Sequence, residues 1–100
     1  MMPAPFNWPP ALVTASYTVR AGVCPQVVGR LLDYFALRNL VPASVRVRRR
    51  DDILTVLIEQ PDIAEREAEI IAEKMRSLVT VASVLLECRI SAACAMPVAA

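Results

Sequence analysis

The sequence predicts an α+β domain, a four-stranded antiparallel sheet with two helices on one face, in the order β-α-β-β-α-β. Three observations predict it. Alternating apolar and polar runs recur in four places, and two amphipathic stretches of helical spacing separate them. Two of the runs are joined only by Asp51-Asp52, as in a hairpin. Two right-handed β-α-β units that share one antiparallel sheet make the ferredoxin-like sandwich.

Each element has its own reason. From Leu12 to Arg20, Val13, Ala15, Tyr17 and Val19 alternate with Thr14, Ser16, Thr18 and Arg20, as in a strand with one packed and one wet face. Ala21-Gly22-Val23 then connects to a helix. Cys24 to Pro42 delimits that helix: Pro25 suits its first turn, where a missing N–H costs nothing. Val27, Val28, Leu31, Leu32 and Phe35 form its apolar stripe, with Arg30, Asp33 and Arg38 outside. Asn39 suits a left-handed C-terminal position, and Pro42 stops the helix from resuming.

Ala43 to Arg50 and Ile53 to Gln60 read as the hairpin strands. With a two-residue turn, opposed residues pair Val47 with Val56 and Val45 with Ile58 on the core side. Arg48 meets Thr55, Arg46 meets Leu57 and Ser44 meets Glu59 on the other side. Pro61, Asp62 and Glu65 read as a capping-box-like helix start, followed by a stripe of Ile63, Ile70, Ile71, Met75 and Leu78. Arg66, Glu69, Glu73 and Lys74 fall outside that stripe. In the fourth strand, Ser83 to Arg89, Val84, Leu86 and Cys88 alternate with Ser83, Leu85 and Glu87. The domain is thus expected over residues 12–89. A Pro-rich tail precedes it over residues 1–11, extended or disordered with Phe6 and Trp8 as anchors. An Ala-rich, frayed tail follows over residues 90–100.

Bulk properties narrow the function. One hundred residues make a single small domain that can bury a workable core. A hydrophobic fraction of 56% without a membrane-spanning run points to an extra buried surface, most simply a subunit interface. The N-terminus has four prolines and no basic stretch, which argues against a signal peptide. Three cysteines, Cys24, Cys88 and Cys94, show neither disulfide nor zinc spacing, and the chain reads as cytoplasmic. A net charge of +1 exerts no general pull on nucleic acid or acidic lipid.

The chain has no His, which removes the commonest general base and metal ligand. No serine sits in a G-x-S-x-G elbow. Cys24, at the start of a helix, is either a thiol of lowered pKa or a small buried hydrophobe, and the second reading carries more weight. Gly22 alone does not make the Gly-rich anion loop that a small phosphatase of this fold requires. These residues argue against an enzyme and imply no cofactor or metal. Arg46, Arg48, Arg49 and Arg50 form a basic run, but Tyr17 falls on the core side and leaves no aromatic for base stacking. An edge strand guarded by charge against aggregation explains the run better. A binding module is left. In this architecture the first strand-to-helix connection presents backbone amides at a helix N-terminus, here Gly22, Val23, Gln26 and Val27, which suits a carboxylate.

Two stretches carry a family resemblance. In PQVVGRLLDYFALRNLVP at 25–42, Pro25, Val27, Val28, Phe35 and Arg38 match the first helix of the ACT domain, a small regulatory βαββαβ module of amino-acid metabolism. SLVTVASVLLEC at 77–88 resembles that family's last helix-to-strand passage. More narrowly, residues 12 to 89 resemble the short regulatory small subunits of acetolactate (acetohydroxyacid) synthase. The resemblance implies a protein without catalysis of its own that pairs through sheet edges into a homodimer. It implies binding to a thiamine-diphosphate-dependent catalytic large subunit and feedback by a branched-chain amino-acid effector. In that family the effector sits at the dimer interface, against the first strand-to-helix loop. Here that gives Gly22, Val23, Cys24, Gln26, Val27 and Val41 as the candidate ligand-binding residues. Gln26 stands where the family keeps a Gly, and Val41 where it keeps an Asn. A stand-alone amino-acid-binding ACT protein is the alternative.

Overall fold

The computed structural model describes residues 12–90 of the chain. The elements are β1 (Leu12–Gly22), α1 (Val27–Ala36), β2 (Ser44–Arg50), β3 (Ile53–Ala64), α2 (Glu65–Arg76) and β4 (Val81–Ile90). This is the ferredoxin-like order expected. All neighbouring strands are antiparallel, and their order in space is β2-β3-β1-β4, so β2 and β4 are the edges. The expectations for residues 1–11 and 91–100 lie outside the described residues. Ile90, assigned to the tail by sequence, closes β4.

Alternation in sequence becomes alternation in burial. Ala15, Tyr17, Val19 and Ala21 are buried, while Ser16 and Thr18 between them are half-buried. The hairpin register is the expected one, from Ser44 opposite Glu59 to Arg50 opposite Ile53. Asp51 makes the turn possible with φ of 55°, a left-handed conformation that Asp tolerates better than most residues.

The core forms where both helices lie on this sheet. Tyr17 and Phe35 meet edge to face, with ring centroids 5.4 Å apart and planes at 83°. The Tyr17 hydroxyl donates to the Ala68 carbonyl at 2.9 Å, tying β1 to α2. Val27, Leu31, Val56, Ile58, Ile63, Ile71 and Met75 are also fully buried. At the far end of α1, the Leu40 amide donates to Phe35 O and the Asn39 amide to Ala36 O. With Asn39 at φ of 61°, these bonds form a Schellman stop, the role expected of Asn39.

Four expectations need correction. The first concerns β3, which does not end at Gln60 but runs through Pro61 and Asp62 to Ala64. Its register against β1 slips between Val13 and Ala15, so β3 holds one extra residue, absorbed by Asp62 at φ of 54°. Asp62 therefore lies in β3 and is not the N-cap residue of α2. The N-cap is Ala64, which makes no side-chain cap bond, and Glu65 and Glu67 supply the negative charge in the first turn. Second, Ile70 leaves the apolar stripe at 38% exposure, and Ala68 and Ala72 take the sheet side instead. Third, Val45 and Val47 point to the helix side of the sheet but remain 37% and 46% exposed. They sit on the edge strand β2, every residue of which is exposed. Fourth, α1 itself is shorter than the Cys24–Pro42 stretch, because residues 37–39 form turns.

Candidate functional site

Antiparallel pairing of β1 and β4 brings the end of one strand beside the start of the other. Gly22 closes β1, and its amide donates to the Thr80 carbonyl at 2.9 Å. This bond joins the β1–α1 loop to residues 77–80, which lead from α2 into β4. A cleft of about 320 Å³ opens between them. Cys24, Gln26, Val27 and Arg30 form one wall, and Ser77, Leu78, Val79 and Thr80 form the other.

The amino end of α1 faces this cleft. Gln26 is its N-cap and makes no side-chain cap bond, and its first turn holds no acidic residue, so α1's own first turn supplies no charge that offsets the helix end. Two of the four amides expected to face an anion are engaged within the chain. Gly22 donates to Thr80 O, and Val27 donates to Cys24 O at 3.2 Å. The first intrahelical bond runs from the Arg30 amide to Gln26 O, so Val28 and Gly29 are the first-turn amides that the helix leaves open.

Of the six sequence-predicted residues, Gly22, Cys24, Gln26 and Val27 meet at this cleft, and exposed Val23 lies among them in sequence. Val41 lies elsewhere. It precedes Ala43, whose amide donates to Glu59 O, whereas Gly22 pairs with Ile53. Glu59 and Ile53 are about 20 Å apart along β3 at the usual rise per residue. One protomer therefore does not bring Val41 to the other five. The wall formed by residues 77–80 was missed from sequence, where it reads as a plain connection. The signal was the topology: antiparallel β1 and β4 must place these two loops at one end of the sheet.

The Cys24 side chain packs partly buried against the core. Burial, together with Glu65 and Glu69, pushes the Cys88 thiol above its ordinary value, which keeps it protonated and a poor nucleophile at neutral pH. Among the described residues no group of three or more metal-ligating side chains converges. No helix among them is long and apolar enough to cross a membrane.

Known proteins share this fold. The model of the ACT-like domain family matches residues 10–93. The ACT domain of the GTP pyrophosphokinase of Chlorobium tepidum is similar in its crystal structure. The TM-score is 0.66 at 10% identity, covering 76% of this chain and 99% of that one. Its solution structure gives a TM-score of 0.63 at 11% identity, covering 74% and 84%. The solution structure of the C-terminal domain of the MgtC protein from Mycobacterium tuberculosis gives 0.62 at 11% identity, covering 81% and 92%. At such identities these likenesses speak for the fold alone. A comparison with curated proteins finds no match. The family match spans the whole sheet and both helices: the chain belongs to the ACT-like domain family, whose members are small-molecule regulatory modules and not catalysts.

Proposed function

We propose that the chain is a non-catalytic regulatory subunit of amino-acid metabolism, specifically a small subunit of acetolactate synthase in branched-chain amino-acid biosynthesis. The observation that carries the reading is the cleft where the uncapped amino end of α1 meets residues 77–80. An amino-acid carboxylate would face the open amides of Val28 and Gly29, with Arg30 beside it. An aliphatic side chain would lie against Leu78 and Val79. The ligand set would close only in a dimer paired through sheet edges, with Val41 supplied by the second protomer. Exposed Val45 and Val47 on the edge strand β2 support such pairing. The catalytic partner would be a thiamine-diphosphate-dependent large subunit in the cytoplasm.

The test is to mix the chain with an acetolactate synthase large subunit from the same source. Co-elution, together with altered activity or an altered response to valine, leucine or isoleucine, is the expected result. Absence of both a complex and a kinetic effect overturns the subunit assignment. A thermal-shift panel of amino acids then tests the stand-alone reading. A ligand at a hundredfold excess over its dissociation constant stabilises the folded state by about 2.7 kcal/mol.

A further inference from the structure

The helices cover one face of the sheet and leave the other open. On the open face the register sets Arg48 of β2, Thr55 of β3 and Arg20 of β1 in one row. Arg50 stands two residues further along β2, opposite Ile53, and Arg46 stands in the row below, opposite Leu57. Arg48 and Arg20 are thus about 10 Å apart at the usual strand spacing, close enough for their side chains to converge over Thr55. All four arginines are exposed. None of them belongs to an ion pair of the described residues, which are Arg38–Glu67, Arg76–Glu73 and Arg89–Glu59. The acidic side chains on this face, Glu59 and Glu87, lie at the other end, and Glu59 is already held by Arg89 at 3.0 Å.

A cleft of about 460 Å³ lies over the row, with Arg20, Arg48 and Arg50 on its walls and Ile53, Thr55 and Leu57 beneath. Asp51 is its one carboxylate, so three guanidiniums face one negative charge. Like charges that converge on one cleft repel, and binding an anion removes that cost.

We propose that this cleft binds a small metabolite bearing two or more phosphoryl groups. Each guanidinium offers a planar fork of donors that matches phosphate oxygens in pairs, and three forks exceed what one carboxylate or one orthophosphate can accept. The Thr55 hydroxyl adds a donor at the centre. Half-exposed Ile53 and Leu57 offer an apolar floor to the rest of the molecule. The volume is that of a small-molecule site. A nucleic-acid strand fits less well, because the open face presents no aromatic side chain among the described residues on which bases could stack. The site is on the side of the sheet away from the helices, and it stands or falls independently of the amino-acid cleft.

Titration calorimetry of the full chain with tripolyphosphate tests this. Orthophosphate, ATP and a short oligothymidylate serve as comparisons, at about 0.1 M salt, where long-range attraction is screened beyond about 10 Å. The expected result is a single site that prefers tripolyphosphate to orthophosphate by about tenfold or more. Arg20→Ala and Arg48→Ala each weaken it about tenfold, as expected for losing a charge-assisted bond. Arg66→Ala, exposed on α2, leaves it unchanged. Amide shifts on binding cluster near residues 20 and 48–55. Equal weakening by Arg66→Ala, or none by Arg20→Ala and Arg48→Ala, overturns the proposal in favour of diffuse attraction. Tighter binding of the oligonucleotide overturns it in favour of nucleic acid. A dimer that excludes tripolyphosphate and dissociates on Arg48→Ala overturns it in favour of a second copy covering this face.

Discussion

Replacing Tyr17 by Phe removes one oxygen from the centre of the core and leaves the ring in place. Tyr17 is fully buried, its hydroxyl donates to Ala68 O at 2.9 Å, and its ring meets Phe35 edge to face. The Ala68 carbonyl keeps its helical bond, so the loss is that of one buried hydrogen bond, about 1 kcal/mol. For a domain of this size that lowers Tm by about 4–8 °C. The pH dependence is the sharper test. Burial first, then Cys88 and Glu67, raise the Tyr17 phenol well above its ordinary value. Below about pH 10 the phenol is protonated in both native and unfolded chains, and its contribution is constant. Above that pH the unfolded chain releases the proton and the native chain does not, so stability falls by up to about 1.4 kcal/mol per pH unit. Tyr17→Phe lacks this term. Urea melts followed by circular dichroism should show the variant less stable by about 1 kcal/mol near pH 7, with the two curves converging towards about pH 11. The Cys88 thiol, also raised, contributes to both curves alike. Curves that stay parallel across this range would mean that the phenol ionises as easily in the folded protein, and the reasoning would fail.

Two further substitutions probe the helices. Gly29 lies inside α1 at an exposed position, its φ is not positive, and an added Cβ would meet nothing within 4 Å. Gly29→Ala should therefore raise stability by about 1 kcal/mol from helix propensity alone, and an unchanged or lower melting temperature would contradict this. Ala68 is fully buried on the sheet side of α2, beside the Tyr17 hydroxyl. Ala68→Leu should overpack that contact and cost about 1–3 kcal/mol in denaturant melts, whereas an equally large side chain tolerated without loss would show the helix free to move off the sheet.

Local patterns in the chain determined much of the fold. Alternation marked the strands, and matching alternation on both sides of Asp51-Asp52 set the hairpin register residue by residue. Asn39 and Pro42 marked where α1 stops. Of the candidate site, the β1–α1 half was legible, because a helix start with Pro25 and Gln26 announces itself locally. Tertiary structure decided the rest, because strand order and helix placement are not local properties. Making β2 an edge left Val45 and Val47 exposed although their pattern is that of core residues. Close approach of α2 to the sheet selected Ala68 and Ala72 over Ile70. The bulge at Asp62 displaced the start of α2 to Glu65. Pairing β1 with both β3 and β4 placed residues 77–80 against the loop after Gly22 and sent Val41 to the opposite end. The same pairing set Arg20 beside Arg48 and Arg50, residues far apart in sequence that only the β2-β3-β1 order brings into one row.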